Sequence, residues 1–303
     1  MKESSDKFPI SVVVVTHNSE KVLGPFLEAI AETRVSETVV VDCGSTDSTL
    51  HIASGRDRTR IVSIGNEGYG RGNNAGFAVT SQDYILILNP DVLIADDQLQ
   101  CLFEFYKGLT KPAIVAPRMY HRSGGSKIYR KDSRFDGDRL KVEKVCGAAM
   151  ILHRELYAQL GGFDKNIFLY FEETDLCVRA KKAGADIIVC GVSEVEHFKS
   201  GSTPDNSKYE FLRGWHDGWS KIYFESKCAS NPLVKFLKVF KTLAQTRIKI
   251  LTKGMANNLD GQRRERNKLL GMKAFLKGEK AFDDQGIARH TKDFERSIQN
   301  QRT

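Results

Sequence analysis

Near its beginning the chain reads Ile10-Ser11-Val12-Val13-Val14-Val15-Thr16-His17-Asn18. A short β-branched run of this kind is typical of a strand that is buried on both faces. Similar apolar runs recur further along and are separated by segments with helical spacing: Thr38–Asp42, Arg60–Ile64, Tyr84–Leu88 and Ala113–Ala116. The alternation predicts an α/β fold with a mostly parallel sheet flanked by helices.

The composition is that of a globular protein. Of the 303 residues, 41% are hydrophobic and 28% are charged, which excludes a disordered or fibrous chain. No stretch approaches the roughly 20 consecutive apolar residues of a membrane span, and the N-terminal residues lack the apolar core of a signal peptide. The six cysteines contain no Cys-x-x-Cys motif, so neither a zinc knuckle nor a disulfide scaffold is expected. We therefore expect a cytoplasmic protein.

The net charge of +8 is unevenly distributed. Residues 1–226 carry 28 Lys and Arg against 31 Asp and Glu, whereas residues 227–303 carry 18 against 7. The difference predicts a near-neutral body over 1–226 and a basic, helical C-terminal extension over 227–303.

Between Ser226 and Leu259 there is no acidic residue, and apolar residues recur at helical spacing between seven basic ones. Such a helix suits an anionic membrane surface, or else it packs on the body with its lysines in water. Nucleic acid is disfavoured as a partner because no nucleic-acid-binding motif is present.

Polar residues follow the predicted strands at the carboxyl ends, where ligands bind in open α/β sheets. Asp42 ends the second strand, where a carboxylate accepts hydrogen bonds from a nucleobase or a ribose. Asn89-Pro90-Asp91 ends the most apolar strand, and a carboxylate that is costly to bury alone there can hold Mg²⁺ or Mn²⁺. The alternatives are that Asp47 only caps a helix and that Asn89–Asp91 is an Asx-type turn.

A cluster of acids follows the aromatic run Phe168–Phe171. Glu172-Glu173-Thr174-Asp175 places three carboxylates in four residues, an arrangement that suits general-base catalysis. The alternative is that these acids stabilise the N-terminus of a helix, predicted here over Asp175–Gly184. His197 is a candidate ligand for a metal or a phosphate, although a lone histidine is more often structural.

The glycine-rich segment Gly70-Arg71-Gly72-Asn73-Asn74-Ala75 fits the G-x-G-x-x-A pattern of dinucleotide-binding folds. Two features argue against nicotinamide binding. The segment follows the third strand rather than the first, and the connection over Gly65–Tyr69 is too long for a tight phosphate turn.

Taken together and in this order, these pieces resemble the family 2 glycosyltransferases of GT-A fold, and most closely the bacterial rhamnosyltransferases of O-antigen and related cell-surface polysaccharides. The resemblance spans nearly all of residues 1–226, which it identifies as a GT-A catalytic domain. It is carried by Val14–Asn18, Val41–Thr49, Asn66–Gly76, Leu88–Asp91, Gly161–Asp164, Phe171–Arg179, His197 with Gly201 and Ser202, Arg213–His216 and Trp219–Lys221.

The resemblance implies a role for individual positions. Residues that would hold or flank the donor nucleotide are Thr16, Asn18, Asp42, Asn66, Gly68, Asn73, Asn74 and Asn89. Asp91 takes the place of the last acid of the family's Asp-x-Asp motif and, with His197, would hold Mg²⁺ or Mn²⁺. Because Asn89 replaces the first acid of that motif, metal binding would be weaker. Glu173 would be the catalytic base, and the acceptor would be bound by Glu172, Asp175, Arg213 and His216.

The implied reaction is transfer of a sugar with inversion. The expected donor is dTDP-L-rhamnose, which supplies L-rhamnose, and the expected acceptor is a hydroxyl of a lipid-linked glycan. Its place would be the inner face of the cytoplasmic membrane, and an oligomer is compatible with the sequence. One alternative is a sugar nucleotidyltransferase, which is disfavoured because Thr16–Ser19 stands where those enzymes carry a glycine-rich phosphate loop. The other is a non-catalytic nucleotide-binding partner of a polysaccharide assembly complex, which only the Asn89 departure supports.

Overall fold

The computed structural model describes residues 7–121, 135–198 and 207–282. The chain forms two compact units, one made of Met1–Gly65, Arg71–Asp164 and Glu173–Thr203, the other of Asn66–Gly70, Lys165–Glu172 and Pro204–Thr303. In the described ranges, no helix combines the length and the apolar character that crossing a bilayer requires.

The strands all belong to the first unit and form one sheet. They are β1 Phe8–Thr16, β2 Val35–Cys43, β3 Thr59–Ile64, β4 Tyr84–Leu88, β5 Val92–Leu93, β6 Ala113–His121, β7 Arg139–Lys141, β8 Ala149–His153 and β9 Asp186–His197. The sheet has the order β3-β2-β1-β4-β8-β6-β9-β5, with β7 paired to β9.

Helices occur between these strands and after them. They are α1 Glu20–Ala31, α2 Thr49–Ala53, α3 Tyr69–Val79, α4 Asp96–Lys107, α5 Arg154–Gln159, α6 Glu172–Lys182, α7 Ser207–Lys227, α8 Pro232–Met255 and α9 Leu259–Leu276. The five strands predicted from apolar runs are confirmed as β1, β2, β3, β4 and β6, and the α/β class is confirmed.

The sheet is parallel across β3, β2, β1 and β4 and is mixed beyond β4, where β8 pairs antiparallel with both β4 and β6. The core lies between the sheet and helices that bury one stripe each. Helix α1, for example, buries Leu23, Phe26, Leu27 and Ile30, the i, i+3, i+4 and i+7 positions of one helix face.

Because the first four strands are parallel, their carboxyl ends lie at one edge of the sheet. Thr16 at the end of β1 is in register with Asp42 on β2, and Asp42 is in register with Ser63 on β3. The residues after β1, β2 and β4 therefore share the edge at which a ligand is expected.

Strand β6 is longer than the apolar run Ala113–Ala116 from which it is predicted. It continues through His121, and β7 forms over Arg139–Lys141, because both pair with the long strand β9. Residues 122–134 lie outside the described residues.

The second unit contains α7, α8 and α9, so the predicted helical C-terminal extension is present. Its core surrounds the fully buried Trp215. Gly271 of α9 packs directly against the backbone carbonyl of Trp215, where any side chain would collide with it. The position predicted as the boundary between the two parts of the chain, 226–227, lies at the C-terminal end of α7.

Candidate active site

The end of the site that is expected to hold the donor nucleotide begins with Thr16 and Asp42. Asp42 is 2% exposed, and its Oδ2 accepts a hydrogen bond of 3.1 Å from the backbone N–H of Ser45. Its Oδ1 is buried and has no hydrogen-bond partner within the described part of the chain. Buried carboxylate oxygens are normally bonded, so this atom is suited to accept a hydrogen bond from a ligand. The Thr16 hydroxyl instead donates to the carbonyl of Val41 at 3.2 Å.

Asn18 organises the loop after β2. Its backbone is left-handed, with φ of 51°, and its Oδ1 accepts a hydrogen bond of 2.8 Å from the N–H of Thr46. Asp47 accepts hydrogen bonds from the N–H of Thr49 at 3.0 Å and of Glu20 at 3.2 Å, the first residues of α2 and α1. These bonds agree with the interpretation of Asp47 as a helix-capping residue.

The glycine-rich segment forms the start of α3, and its glycines allow that helix to pack closely on the sheet. A methyl group on Gly72 would lie 2.7 Å from Val15 Cγ1 and 3.2 Å from Cys43 Sγ, and one on Gly76 would lie 2.5 Å from Val13 Cγ1. Helix–sheet packing therefore accounts for these glycines without a dinucleotide.

Asn74 is engaged within the protein. Its Oδ1 accepts hydrogen bonds from the Tyr157 hydroxyl at 2.7 Å and the Phe163 N–H at 2.8 Å, and its Nδ2 donates to the Phe163 carbonyl at 2.9 Å. The same oxygen packs against Gly162, where a side chain would collide with it. Asn74 thus holds the Gly161–Asp164 turn, whereas its neighbour Asn73 is 1% exposed.

Two more residues of the expected nucleotide site belong to the second unit. Asn66 is exposed after β3. Gly68 has φ of 91° and packs against the carbonyl oxygen of Phe168, which also accepts a hydrogen bond of 3.1 Å from the N–H of Tyr69. This close approach requires a glycine, so Gly68 holds the Phe168 segment in place.

Asp91 and His197 are brought together, although they are far apart in sequence. Asp91 is 7% exposed, and its Oδ1 lies 3.3 Å from His197 Nε2. The short strand β5, which follows Asp91, pairs antiparallel with the end of β9 and puts Val92 in register with His197. In addition, the Asp91 carbonyl accepts a hydrogen bond of 2.9 Å from the N–H of Phe198.

This pair offers a divalent cation one carboxylate oxygen and one imidazole nitrogen. The described residues contain no group of three His, Cys, Asp or Glu side chains that could hold a metal ion. Mg²⁺ is often bound by one or two protein ligands together with substrate phosphates and water, so the pair fits a cation that arrives with a diphosphate. Asn89 adds a buried side-chain oxygen, Oδ1, with no hydrogen-bond partner in residues 7–121, 135–198 and 207–282.

Glu173 is partly exposed in the first turn of α6. Its Oε1 accepts a hydrogen bond of 3.2 Å from the hydroxyl of Thr174, which in turn accepts one of 3.2 Å from Lys144 Nζ. Because α6 begins at Glu172, three residues earlier than predicted, the acids also lie where the helix dipole favours negative charge. The helix start therefore supports the structural explanation of the acid cluster, and catalysis by Glu173 stays a prediction.

The turn Cys146–Ala148 connects Glu173 with the Asn89–Asp91 segment. The Ala148 carbonyl accepts a hydrogen bond of 2.9 Å from the N–H of Asn89, and Gly147 packs on Glu173 so closely that a methyl group there would lie 3.2 Å from Glu173 Cβ. Burial raises the pKa of the Cys146 thiol, and the negative charges of both Glu173 and Asp91 raise it further. The charges of Glu173 and Asp91 therefore both contribute to the raised pKa of this thiol.

The four residues expected to bind an acceptor differ in their surroundings. Asp175 is 1% exposed and is bonded at 2.7 Å to Arg179, which also donates to the carbonyls of Leu160 and Gly162. This network joins α6 to the preceding turn, so Asp175 is engaged in structure.

In the second unit, His216 is fully buried, with its ring centroid 4.4 Å from that of Phe168. Burial raises the pKa of Tyr170, the positive charge of Arg213 lowers it, and the negative charges of Asp217 and Glu172 raise it. Glu172 is buried, whereas Arg213 is exposed.

Sequence reasoning missed the Cys146–Ala148 turn, Lys144 and Tyr170. The turn lies inside an apolar run that carries no catalytic motif, and only tertiary packing brings it to both carboxylates. A weak signal for Tyr170 was its place in the aromatic run that directly precedes the acid cluster.

The sheet order and the helices that flank the sheet define a GT-A fold. A solved structure with this fold is the mannosyltransferase PcManGT from Pyrobaculum calidifontis in complex with GDP-Man and Mn²⁺, which superposes with a TM-score of 0.60 at 16% identity and covers 90% of this chain and 88% of that one.

The chain belongs to the glycosyl transferase family 2, whose family model matches residues 11–176. It is 27% identical over 207 residues to the low-salt glycan biosynthesis hexosyltransferase of Haloferax volcanii, a match that covers 62% of this chain and 66% of that protein, just under two thirds. It is 25% identical to the N-acetylglucosaminyl-diphospho-decaprenol L-rhamnosyltransferase of Mycobacterium tuberculosis, over 69% of this chain and 86% of that protein.

Proposed function

We propose that this enzyme transfers a sugar from a nucleotide-sugar donor to a hydroxyl group of a lipid-linked glycan, with inversion at the anomeric carbon. L-Rhamnose from dTDP-L-rhamnose is the donor we favour, because the mycobacterial relative is named an L-rhamnosyltransferase. The name of that relative also contains a diphospho-decaprenol lipid, which supports a lipid-linked acceptor. A lipid-linked acceptor requires the enzyme to work at a membrane surface, on the cytoplasmic side where nucleotide sugars are made.

The observation that carries the proposal is that one turn, Cys146–Ala148, contacts both the Asn89–Asp91 segment and Glu173. Asn89 bonds to Ala148, Gly147 packs on Glu173, and both carboxylates influence the Cys146 thiol. One acid is thereby available to the leaving diphosphate and the other to the incoming hydroxyl. An inverting transfer needs this division of roles, since the nucleophile attacks from the face opposite the leaving group.

At the donor end, Asp42 Oδ1 would accept a hydrogen bond from the nucleoside, with Thr16 beside it. Asp91 and His197 would hold Mg²⁺ or Mn²⁺, and Asn89 would supply a neutral oxygen nearby. When bound, such a cation neutralises the charge that develops on the leaving diphosphate. PcManGT, with GDP-Man and Mn²⁺ in its structure, is a precedent for this use of the fold.

At the acceptor end, Glu173 would remove the proton of the attacking hydroxyl as its oxygen bonds to the anomeric carbon. The hydrogen bond from Thr174 and the charge of Lys144 would keep the Glu173 carboxylate oriented. Within the second unit, Glu172 and Arg213 stay candidates for acceptor binding, whereas the surroundings of Asp175 and His216 favour structural roles. The hydrogen bonds of Asn18 and Asn74 likewise favour support of the donor site over direct contact, and the packing of Gly68 on Phe168 favours a structural role within the second unit.

The first experiment is to measure sugar transfer by Glu173→Gln, which keeps the size of the side chain and removes its basicity. Loss of a general base lowers kcat by about 10²- to 10⁴-fold, so we expect a fall in that range with donor binding retained. Donor binding is followed by thermal stabilisation with dTDP-, UDP- and GDP-sugars, with and without Mn²⁺. Glu155→Gln is the matched control, because Glu155 is 90% exposed on α5.

Retained turnover in Glu173→Gln would refute the assignment of the base. Stabilisation by a nucleotide sugar with no transfer by the wild-type enzyme to any lipid-linked acceptor would favour the non-catalytic alternative. Stabilisation by NAD alone would instead revive the dinucleotide interpretation of the glycine-rich segment.

A further inference from the structure

Helix α8 exposes a continuous apolar stripe. The large apolar side chains on this side of the helix, hereafter the α8 stripe, are more than half exposed: Leu233, Phe236, Leu237, Phe240, Ile248, Leu251 and Met255. Apart from the neighbours Phe236 and Leu237, successive members are three, four or eight residues apart, so all of them lie within about one third of the helix circumference. The rings of Phe236 and Phe240 stack on each other, with centroids 6.2 Å apart.

The opposite side of α8 is the one that packs within the second unit. Val239, Thr242 and Thr246 are buried there, and Val239 joins a cluster with Ile222 and Met272. Helix α8 therefore packs within the second unit through this opposite side, and that packing does not use the α8 stripe. An exposed apolar surface of this length is characteristic of an interaction site.

Basic residues occur along the length of α8, and Lys241 and Arg247 are those whose helical positions lie next to the stripe or within it. Exposed cations on α8 are Lys235, Lys238, Lys241, Arg247 and Lys249. The segment from Ser226 to Leu259 has no acidic residue to offset them. An apolar stripe with cations beside it and no anions matches the interface of an anionic bilayer, where the apolar side chains enter the acyl boundary and the cations meet lipid phosphates.

We propose that the α8 stripe docks on an anionic lipid bilayer, with the helix axis lying along the surface. Its 24 residues correspond to about 36 Å of helix. A second copy of this chain fits the stripe less well, because pairing two α8 helices would bring their cations together without compensating acids. The inference deepens the proposed function, since a lipid-linked acceptor would lie in the same bilayer, but it rests on α8 alone.

The test is co-sedimentation of the full-length protein with vesicles, without substrates. Vesicles of phosphatidylcholine alone are compared with vesicles that contain about 30% phosphatidylglycerol, at low and at high salt. We expect binding to the anionic vesicles that falls as salt rises. In Lys238→Ala/Lys241→Ala, affinity for the anionic vesicles should fall about fivefold for each lysine removed.

A second variant, Phe236→Ser/Phe240→Ser, should reduce binding at least tenfold, because it removes two rings from the centre of the stripe. Leu50→Ser is the matched control, since Leu50 is a large apolar residue exposed on α2, outside the stripe. Circular dichroism and thermal unfolding check that each variant is folded. All substituted positions are exposed, so we expect wild-type spectra.

Several outcomes would overturn the proposal. The first is equal affinity of the wild-type protein for neutral and anionic vesicles, and the second is unchanged vesicle binding by Phe236→Ser/Phe240→Ser. The third is a wild-type protein that does not bind vesicles but forms a dimer, with Phe236→Ser/Phe240→Ser monomeric. Failure of the two proposals is distinguishable. An enzyme that binds vesicles but transfers no sugar contradicts only the proposed function, and one that transfers sugar to a short soluble acceptor without binding vesicles contradicts only the membrane surface.

Discussion

Substitution of Gly76 by alanine tests how tightly α3 packs on the sheet. The new methyl group would lie 2.5 Å from Val13 Cγ1 and 2.9 Å from Val41 Cγ2, whereas carbon atoms in favourable contact are about 3.5–4.0 Å apart. Both valines are fully buried in central strands, and β-branched side chains have few rotamers with which to move away. Relief of the collision therefore requires a shift of α3 or of the strands.

The expected change follows from two opposing contributions. Alanine is favoured over glycine in a helix by about 1 kcal/mol, whereas overpacking a well-filled core costs about 1–3 kcal/mol. With two contacts that are about 1 Å too short, we take the upper end of the second contribution. Gly76→Ala should thus lower the free energy of unfolding by about 2 kcal/mol, which corresponds to a fall in Tm of about 4–8 °C.

Urea and thermal unfolding of the purified protein measure this change. Gly108→Ala is the matched control, because Gly108 ends α4 with φ of −74° and a methyl group there meets only ordinary contacts of 3.5 Å or more. The control should be neutral or more stable by up to about 1 kcal/mol. In Val13→Ala/Gly76→Ala, the two effects should be less than additive by at least about 1 kcal/mol, since the second methyl group fills the space that the first substitution opens. A Gly76→Ala protein as stable as the wild type, or strict additivity in the double variant, would refute the reasoning.

Two further predictions concern the surroundings of the site. Asp175→Ala should lower the free energy of unfolding by about 3 kcal/mol at pH 7, because it leaves the Arg179 guanidinium without its buried carboxylate. The control Glu104→Ala removes only the exposed pair with Lys107 and should change the free energy of unfolding by less than about 0.5 kcal/mol. Equal urea midpoints for the two variants would contradict this prediction. Burial raises the pKa of the Cys177 thiol to about 11, so at pH 8 the thiol is protonated and should react with iodoacetamide far more slowly than the partly exposed Cys228, with reactivity increasing as the pH approaches 11. Peptide mass spectrometry of the native protein measures both rates, and comparable labelling at pH 8 would contradict the assignment.

The strands that the sequence predicts correctly are those whose own residues suffice. Strand β1 is a β-branched run buried between neighbours, so local composition already indicates it. Strands β5 and β7 have two and three residues and exist because β9 offers them a partner, which no local pattern contains. Strand β9 was not predicted either, although its first half is apolar, because its second half is less regularly apolar.

The same distinction applies to the candidate site. Asp42 and Asp91 follow apolar strands, so their position at the carboxyl edge could be predicted from strand ends alone. The engagement of Asn74 with Tyr157 and Phe163 could not, because the partners are more than 80 residues away in sequence. Whether a polar side chain is free for a ligand or bonded within the protein depends on contacts of this kind.

The turn over Cys146–Ala148 has a consequence for attempts to alter substrate choice. Asn89 is anchored to its last residue and Glu173 rests on its middle residue, so a substitution here would displace both of these residues at once. Gly147→Ala, for instance, would place a methyl group 3.2 Å from Glu173 Cβ. Efforts to redesign the enzyme for other sugars should therefore vary the surrounding loops and leave these three residues as they are.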